Sequence, residues 1–324
     1  QLLARLAETG PAQRFLAVVG PSGSGKSSVV KAGLLPALRW GDVSGSENWY
    51  VSEMVPSDEP LENLETALLS IAQEDQTDLL TTLREGQSGL ADAVARILPD
   101  GAEFLLVIDQ FEEIFTLVES EAERTAFLGL IHTAVMQPDS RVRVIITLRA
   151  DFYDRPLFYE GFGNLIRTRT EVVLPLSSEE LERTITGPAE RVGLVVDANL
   201  LAAVVADVRE EPGALPLLQY VMTEVFVRRQ GRTLTLEAYN ASGGALGALA
   251  RLADDLFDEM EKDQQTIARQ LFLRLVTLGE GTEDTRRRVQ WSELLAFGID
   301  QQQMQAVLDA FGKYRLLSFD RDPQ

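Results

Sequence analysis

A glycine-rich segment near the N-terminus has residue types and spacing suited to binding phosphate. Gly20–Ser27 reads GPSGSGKS and matches the pattern G-x-x-x-x-G-K-[ST]. The segment lies between an apolar, strand-like run and a helical pattern, which is the context that this pattern requires. Its glycines let backbone N–H groups turn inward around phosphate oxygens without a Cβ clash. The sequence therefore predicts a phosphate-binding loop here rather than a Gly/Ser surface turn.

The positions of this loop have separate predicted roles. A helix that begins near Lys26 adds partial positive charge at its N-terminus. Lys26 is expected to reach the β- and γ-phosphates, and the hydroxyl of Ser27 is expected to coordinate Mg²⁺. The residues predicted to hold ATP or ADP in this way are Gly20, Ser22, Gly23, Ser24, Gly25, Lys26, Ser27 and Ser28.

A second apolar run ends in an acid, as expected of a Walker B element. Phe104–Ile108 is followed by Asp109, and an acid at the carboxyl end of a buried parallel strand faces the ligand crevice. Asp109 is therefore predicted to hold Mg²⁺, through a water, although an aspartate that caps the following helix is the alternative. We favour Glu112 as the base that activates water. Glu113 and Gln110 remain open for that role, and either acid could simply be solvated or paired.

An arginine follows a third apolar run, Val144–Leu148. If this strand lies between the phosphate-loop strand and the strand that ends at Asp109, Arg149 emerges near the γ-phosphate. A permanently charged, bidentate guanidinium suits that position and would distinguish ATP from ADP. An ion pair with nearby Asp151 or Asp154 is the alternative.

The elements that must position these residues alternate between apolar runs and helical patterns, which is typical of a parallel α/β sheet. Five strands are predicted: Phe15–Val19, Trp49–Met54, Phe104–Asp109, Arg143–Leu148 and Glu171–Leu176. The main helices between them are predicted from about Lys26 to Trp40, Glu62–Ile71, Gly89–Leu98 and Arg124–Met136. From a capping-box pattern at Ser177 and Glu180 onward, the chain is predicted to be nearly all helix.

The fold prediction is thus an α/β domain followed by two helical parts. We predict a P-loop NTPase domain with a five-stranded parallel sheet over 1–176 and a helical domain over 177–262. Near the end, three helices and a short strand over Leu316–Phe319 favour a winged-helix domain over 263–324, incomplete at the C-terminus. The chain has no initiator Met, so we expect it to be a fragment of a larger protein.

Composition excludes several classes of protein. The 324 residues include 50 acidic and 30 basic side chains, one histidine and no cysteine, for a formal net charge of −20. Zinc ribbons, cysteine nucleophiles and disulfide frameworks are therefore impossible, and non-specific coating of nucleic acid is disfavoured. No apolar run is long enough to span a bilayer and no secretory signal is evident. We expect a cytoplasmic protein for which nucleic acid is an unlikely partner.

The combined motifs resemble the bacterial novel STAND NTPase family of signal-transduction ATPases. The segments that carry the resemblance are Val18–Leu38, Leu105–Phe115 and Ile145–Arg155. Further segments look like the family's G-x-P element (Gly213–Pro216), its glycine-rich linker (Tyr239–Asp254) and its winged-helix segment (Leu271–Val289). The resemblance implies that Pro216 approaches the adenine from the helical domain.

The resemblance also implies a mode of action and partners. ADP would hold the module shut, and exchange of ADP for ATP would let it open and self-associate. Hydrolysis of the bound ATP would be slow. Effector domains of caspase-like or TIR type and a sensor such as a WD-repeat propeller usually flank such a module. The alternatives are an AAA+-like motor or DNA-loading ATPase that uses the winged helix for DNA, and a nucleotide-dependent scaffold that does not hydrolyse.

Overall fold

A five-stranded parallel sheet forms the centre of the first half of the chain. The computed structural model describes residues 1–72, 78–209, 214–277, 285–286, 289, 293–294, 301–313 and 316–317. The strands are β1 (Phe15–Gly20), β2 (Tyr50–Met54), β3 (Phe104–Ile108), β4 (Val142–Arg149) and β5 (Thr170–Val172). They are ordered β2-β3-β4-β1-β5, and every pairing is parallel. The predicted α/β fold with five parallel strands is confirmed.

Helices cover both faces of this sheet, because its central strands are apolar on both sides. In β1, Phe15, Ala17 and Val19 belong to one hydrophobic cluster, and Leu16 and Val18 belong to another. All five are buried. The helices of this half are α1 (Leu2–Ala7), α2 (Lys26–Ser28), α3 (Leu35–Arg39), α4 (Pro60–Leu69), α5 (Leu79–Arg84), α6 (Gly89–Ile97), α7 (Glu113–Thr116), α8 (Glu121–Met136) and α9 (Phe162–Thr168). Residues of α4, α5, α6, α8 and α9 pack on the first face, and residues of α1 and α3 pack on the second.

The helix predicted from Lys26 to Trp40 is present but is not a regular α-helix. Its middle, Val29–Leu34, is π-helical and joins α2 to α3. We attribute the wider turn to Pro36, which has no N–H to donate and whose ring would crowd the carbonyl of Ala32 in a regular α-helix. The sequence pattern alone did not indicate this change of pitch.

The chain divides into two compact units, Gln1–Pro175 and Leu176–Gln324. The helices of the second unit include α10 (Ser178–Arg191), α11 (Ala198–Val208), α12 (Ala214–Val227), α13 (Leu236–Ala241), α14 (Gly244–Glu259), α15 (Lys262–Leu275) and α16 (Gln301–Lys313). The capping box at the start of α10 is confirmed: the Glu180 N–H donates to Ser177 Oγ at 3.3 Å, and the Ser177 N–H donates to Glu180 Oε2 at 2.8 Å. The division into domains at 1–176, 177–262 and 263–324 stays a prediction.

Short strands accompany the helices of the second unit. β6 (Val195–Val196) pairs with β7 (Thr233–Leu234) in parallel, and β8 (Val276–Thr277) pairs with β9 (Thr285–Arg286) in antiparallel fashion. One hydrophobic cluster involves α10 to α14, and another joins α15 to α16.

Part of the predicted C-terminal strand is not formed. Leu316 and Leu317, its two described residues, form a bend, whereas 318–319 lie outside the described residues. One of the three helices predicted for this region, near residues 292–296, lies mostly outside them, as do residues 278–284 and 287–288 of the segment Leu271–Val289. The winged-helix assignment therefore stays a prediction.

Candidate functional site

The order of the strands brings the three predicted motifs to one edge of the sheet. β4 lies between β1 and β3, which is the arrangement on which the prediction for Arg149 depended. Gly20 and Arg149 are register partners at the carboxyl ends of β1 and β4. Asp109 follows β3 directly, and its N–H donates to the carbonyl of Met54 at the end of β2. Parallel strands thus deliver the phosphate loop, the acid and the arginine to the same side.

The phosphate loop has a backbone that requires glycine. Gly23 and Gly25 have φ values of 81° and 86°, in the left-handed region that disfavours residues with a Cβ. A Cβ on Gly20 would lie 2.6 Å from the carbonyl oxygen of Val173 and 2.7 Å from the Oγ of Ser24. The Ser24 Oγ is buried and has no hydrogen-bond partner among the described residues. The loop therefore offers a tight turn with an unsatisfied polar atom, as a site for phosphate oxygens would.

Lys26 lies at the start of α2 with its ammonium group over the loop. Its Nζ donates to the carbonyls of Gly20 at 3.0 Å and Pro21 at 2.9 Å, and the side chain is 9 % exposed. A buried positive charge thus lies against the carbonyls at the start of the loop. Of the other loop residues, Ser22 and Ser28 are exposed, and Ser24 and Ser27 are half-buried.

Asp109 is the most heavily contacted acid of the site. Its Oδ1 accepts from Ser27 Oγ at 2.7 Å and from Thr147 Oγ1 at 2.5 Å. Its Oδ2 pairs with Lys31 Nζ at 3.0 Å. Burial raises the pKa of Asp109, but the hydrogen bonds from Thr147, Ser27 and Lys31 outweigh that effect and leave the pKa below its ordinary value. Asp109 is accordingly held as a carboxylate.

These contacts fit a divalent cation held by oxygen ligands. The Ser27 hydroxyl and the Asp109 carboxylate are 2.7 Å apart, and hydroxyl and carboxylate oxygens are what Mg²⁺ prefers. Among the described residues, no group of three or more His, Cys, Asp or Glu side chains could hold a metal by itself. A metal at this place would therefore need oxygens from phosphate or water to complete its coordination.

The three candidates for water activation have different surroundings. Glu112 Oε2 accepts from the backbone N–H of Arg149 at 3.2 Å, whereas Glu113 Oε2 accepts from the N–H of Ser57 at 3.0 Å. Burial raises the pKa of both acids; the charges of Lys26 and Arg149 oppose that effect only at Glu112. Gln110 has a left-handed φ of 54°.

The side chain of Arg149 makes the ion pair that the sequence left open as an alternative. Its Nε and Nη2 donate to the two carboxylate oxygens of Asp151, at 3.1 Å and 2.5 Å. Its guanidinium also lies over the ring of Phe152, 5.3 Å from the ring centroid. The backbone places Arg149 beside the phosphate loop, while the bidentate pair holds its charge on Asp151 in this structure.

Three residues of the site, Lys31, Glu53 and Thr147, were not among those predicted. Lys31 Nζ lies 3.2 Å from Glu53 Oε2 in addition to its contact with Asp109. Burial lowers the pKa of Lys31, but the contacts with Asp109 and Glu53 outweigh it and raise that pKa. Lys31 follows Ser27 by four positions, which is the spacing that puts two helical residues on one face. That spacing was the signal in the sequence that could have placed Lys31 at the site.

Pro216, the residue predicted to approach the adenine, belongs to the second unit. Pro216 is half-buried in the first turn of α12, and Gly213 of the same motif lies outside the described residues. Its predicted role at the adenine stays a prediction.

The fold and the site together define a P-loop NTPase: a parallel sheet with a glycine-rich loop of the G-x-x-x-x-G-K-[ST] pattern after β1, a buried acid after β3 and helices on both faces. The sequence model of the Novel STAND NTPase 1 family matches residues 1–323. The chain belongs to that family, as the motifs led us to expect. No significant match was found among curated protein sequences.

Solved structures of similar fold include those of ORC proteins. The ORC1 protein of Aeropyrum pernix, in complex with DNA, is 15 % identical with a TM-score of 0.53, over 97 % of this chain and 82 % of that one. The ORC2 protein of the same organism in its ADP form is 14 % identical with a TM-score of 0.51, over 96 % and 82 %. Drosophila ORC bound to DNA is 13 % identical with a TM-score of 0.50, over 99 % and 72 %. At such identities the similarity shows the fold alone.

No described helix has both the length and the apolar character that crossing a membrane requires.

Proposed function

We propose that this chain is an ATP- and ADP-binding switch of the signal-transduction type. Nucleotide exchange and slow ATP hydrolysis would control its opening and its self-association. The observation that carries this proposal is the register pairing of Gly20 with Arg149. It sets a permanently charged side chain beside the loop that would hold the phosphates, where it can respond to the γ-phosphate that distinguishes ATP from ADP.

The residues of the site would divide the work between binding and hydrolysis. The N–H groups of the loop and the ammonium of Lys26 would hold the phosphates. Ser27 and Asp109 would hold Mg²⁺, which supplies positive charge next to the phosphate oxygens when it is bound. Glu112 would orient and deprotonate the attacking water, because the positive charges of Lys26 and Arg149 favour the ionised form of its carboxyl group.

A switch requires contacts that differ between the two nucleotides. A ligand at a hundred times its dissociation constant shifts a two-state equilibrium by at most about 2.7 kcal/mol when it binds one state alone. ATP and ADP must therefore favour different states. The Arg149–Asp151 pair gives one such difference: with ADP the pair can stay closed, whereas a γ-phosphate competes with Asp151 for the guanidinium.

The remaining parts of the proposal concern the rest of the molecule. Pro216 would contact the adenine, and the C-terminal part of the second unit would be a winged helix. Self-association on ATP binding is proposed, with effector and sensor domains outside these 324 residues. A net charge of −20 repels nucleic-acid phosphates, so protein partners in the cytoplasm fit the chain better than DNA.

The test is the nucleotide content and turnover of the purified protein. A switch should co-purify with ADP, should hydrolyse ATP with near-zero steady turnover, and should change its oligomeric state only with ATP. Rapid steady turnover stimulated by DNA would instead identify a motor or a DNA-loading ATPase. ATP-dependent assembly with no product formed in a single turnover would identify a scaffold that does not hydrolyse.

Lys26→Ala provides the internal control for this test. Loss of the buried ammonium over the loop should abolish binding of both nucleotides. Lys262→Ala removes the same charge from an exposed position at the start of α15, so it should bind as the unchanged protein does. Equal binding by the two variants would mean that the loop is not the phosphate site.

A further inference from the structure

We propose that Lys31 is a built-in counter-cation of Asp109. It neutralises this carboxylate when no divalent ion is bound, and it yields the carboxylate to the ion by moving onto Glu53. Lys31 would thereby set how strongly nucleotide binding depends on metal. The part that concerns nucleotide rests on the proposed function; the part that concerns metal rests on the oxygen atoms of Ser27 and Asp109 alone and is tested without nucleotide.

The two oxygens of Asp109 have separate surroundings. Oδ1 accepts from the hydroxyls of Ser27 and Thr147 and, at 3.2 Å, from the backbone N–H of Gln110. Oδ2 faces the Lys31 ammonium at 3.0 Å. The neutral donors thus fix the carboxylate in place through one oxygen, and Lys31 neutralises its charge at the other.

Lys31 has a second acid within reach. Its Nζ also lies 3.2 Å from Oε2 of Glu53. Glu53 belongs to β2 and Asp109 follows β3, and these strands are neighbours with Met54 opposite Ile108. The two acids are therefore held on either side of the ammonium by the sheet itself.

The exposure of the three side chains decides which of them can move. The side chains of Lys31 and Glu53 are 41 % and 40 % exposed, whereas that of Asp109 is 6 % exposed. Asp109 is fixed by its hydrogen bonds. Lys31 has a flexible stem of four carbons, and both it and Glu53 are exposed to solvent. Displacement of Lys31 therefore needs only a side-chain rotation.

Charge fixes the direction of the effect. An ammonium and a divalent cation at one carboxylate repel each other, so Lys31 opposes binding of the metal. With no metal, the same ammonium cancels a buried negative charge that would repel phosphate. Lys31 should consequently weaken the metal site and support metal-free nucleotide binding.

Three variants and a control test this assignment. Lys31→Met removes the charge, Lys31→Arg keeps it, and Glu53→Gln removes the alternative partner. Lys262→Met removes a lysine charge elsewhere. Each protein is titrated with Mn²⁺ in the nucleotide-free state, followed by the electron paramagnetic resonance signal of free Mn²⁺. ADP binding is then measured by calorimetry in EDTA and in excess Mg²⁺.

The expected results have opposite signs. Lys31→Met should bind Mn²⁺ about tenfold more tightly and should lose ADP affinity in EDTA far more than in Mg²⁺. Glu53→Gln should bind Mn²⁺ about threefold more weakly. In this variant Lys31 keeps Asp109 but loses Glu53 as an acid partner, so it competes more strongly with the metal for Asp109. The Mn²⁺ and ADP affinities of Lys31→Arg should be close to those of the unchanged protein, and those of Lys262→Met should equal them.

Two results would overturn the assignment. One is Mn²⁺ binding by Lys31→Met that is no tighter than that of the unchanged protein. The other is an equal loss of ADP affinity in EDTA and in Mg²⁺, since that is the effect of a cation acting on phosphate alone. A protein that shows the Mn²⁺ differences but binds no ADP would support the role of Lys31 and contradict the proposed function.

Discussion

The backbone N–H of Arg149 donates to Oε2 of Glu112 across 3.2 Å, which joins the end of β4 to the segment that follows β3. A second bond reinforces the connection, because the N–H of Phe111 donates to the carbonyl of Thr147 at 2.9 Å. The proposed base is therefore oriented by the same residue whose guanidinium would respond to the γ-phosphate. A movement of the chain at Arg149 in response to nucleotide would displace the Glu112 carboxylate as well.

Arg149→Ala should spare ADP binding and weaken the response to ATP. The backbone N–H that holds Glu112 remains in this variant, so the change isolates the guanidinium. We expect the ATP affinity to fall about tenfold to a hundredfold, in line with the loss of a charge-assisted pair. Calorimetry with both nucleotides is the measurement. Equal losses for ATP and ADP would contradict the sensor role.

Asp151→Asn is the matched variant in the opposite direction. It removes the carboxylate that binds Arg149 and leaves the guanidinium available. ATP affinity should therefore rise relative to ADP affinity. A variant that binds ATP no better than the unchanged protein would mean that the ion pair does not compete with the γ-phosphate.

Glu112→Gln should slow single-turnover hydrolysis by about a hundredfold or more, with ATP binding kept, if Glu112 is the base. Burial raises the pKa of this carboxyl above its ordinary value of 4.5. Since the base works when deprotonated, the rate should increase with pH through that raised pKa and then level off. Quenched-flow measurement of product across pH is the test. Glu113→Gln is its control, and a larger defect there would transfer the role to Glu113.

Thr147→Val should destabilise the protein by about 1–3 kcal/mol at neutral pH, because a buried hydrogen bond to the Asp109 carboxylate is lost. The folded-state pKa of Asp109 lies below its ordinary value of 3.8. Its contribution to the free energy of unfolding is thus present above the unfolded-state pKa and is lost as pH falls through the folded-state pKa. The difference between variant and unchanged protein should therefore shrink in acid. Urea unfolding at several pH values measures it, and a difference independent of pH would contradict the charge-assisted bond.

Gly20→Ala and Gly33→Ala should have opposite effects. A Cβ at Gly20 meets the carbonyl oxygen of Val173 at 2.6 Å, whereas a Cβ at Gly33 has nothing within 4 Å. The first change should destabilise by about 1–3 kcal/mol and distort the phosphate loop. The second, in an exposed helical position, should be neutral or stabilise by up to about 1 kcal/mol. Thermal unfolding with and without ADP compares them, and similar losses in both would contradict the close packing at Gly20.

Much of the fold was predictable because its signals are local. Runs of four to eight apolar residues mark strands buried on both faces and predicted β1, β3 and β4, whereas more mixed segments predicted β2 and β5. All five strands were predicted to within a few residues. The largest deviation is β5, predicted over Glu171–Leu176 and observed over Thr170–Val172. Edge strands have few partners, so packing rather than pattern decides where they end. The π-helical turn at Val29–Leu34 is a second deviation, which we attribute to Pro36, two residues beyond the turn.

The sequence by itself determined the phosphate loop, its lysine and hydroxyl, and the acid after β3, because each is defined by neighbours along the chain. Only the tertiary structure decided which strands are adjacent, and hence that Arg149 lies opposite Gly20. It also decided that the Arg149 guanidinium pairs with Asp151, and that Lys31 lies between Asp109 and Glu53. These relationships join residues on different strands and helices, and their distances depend on strand order and side-chain packing, which no local pattern specifies.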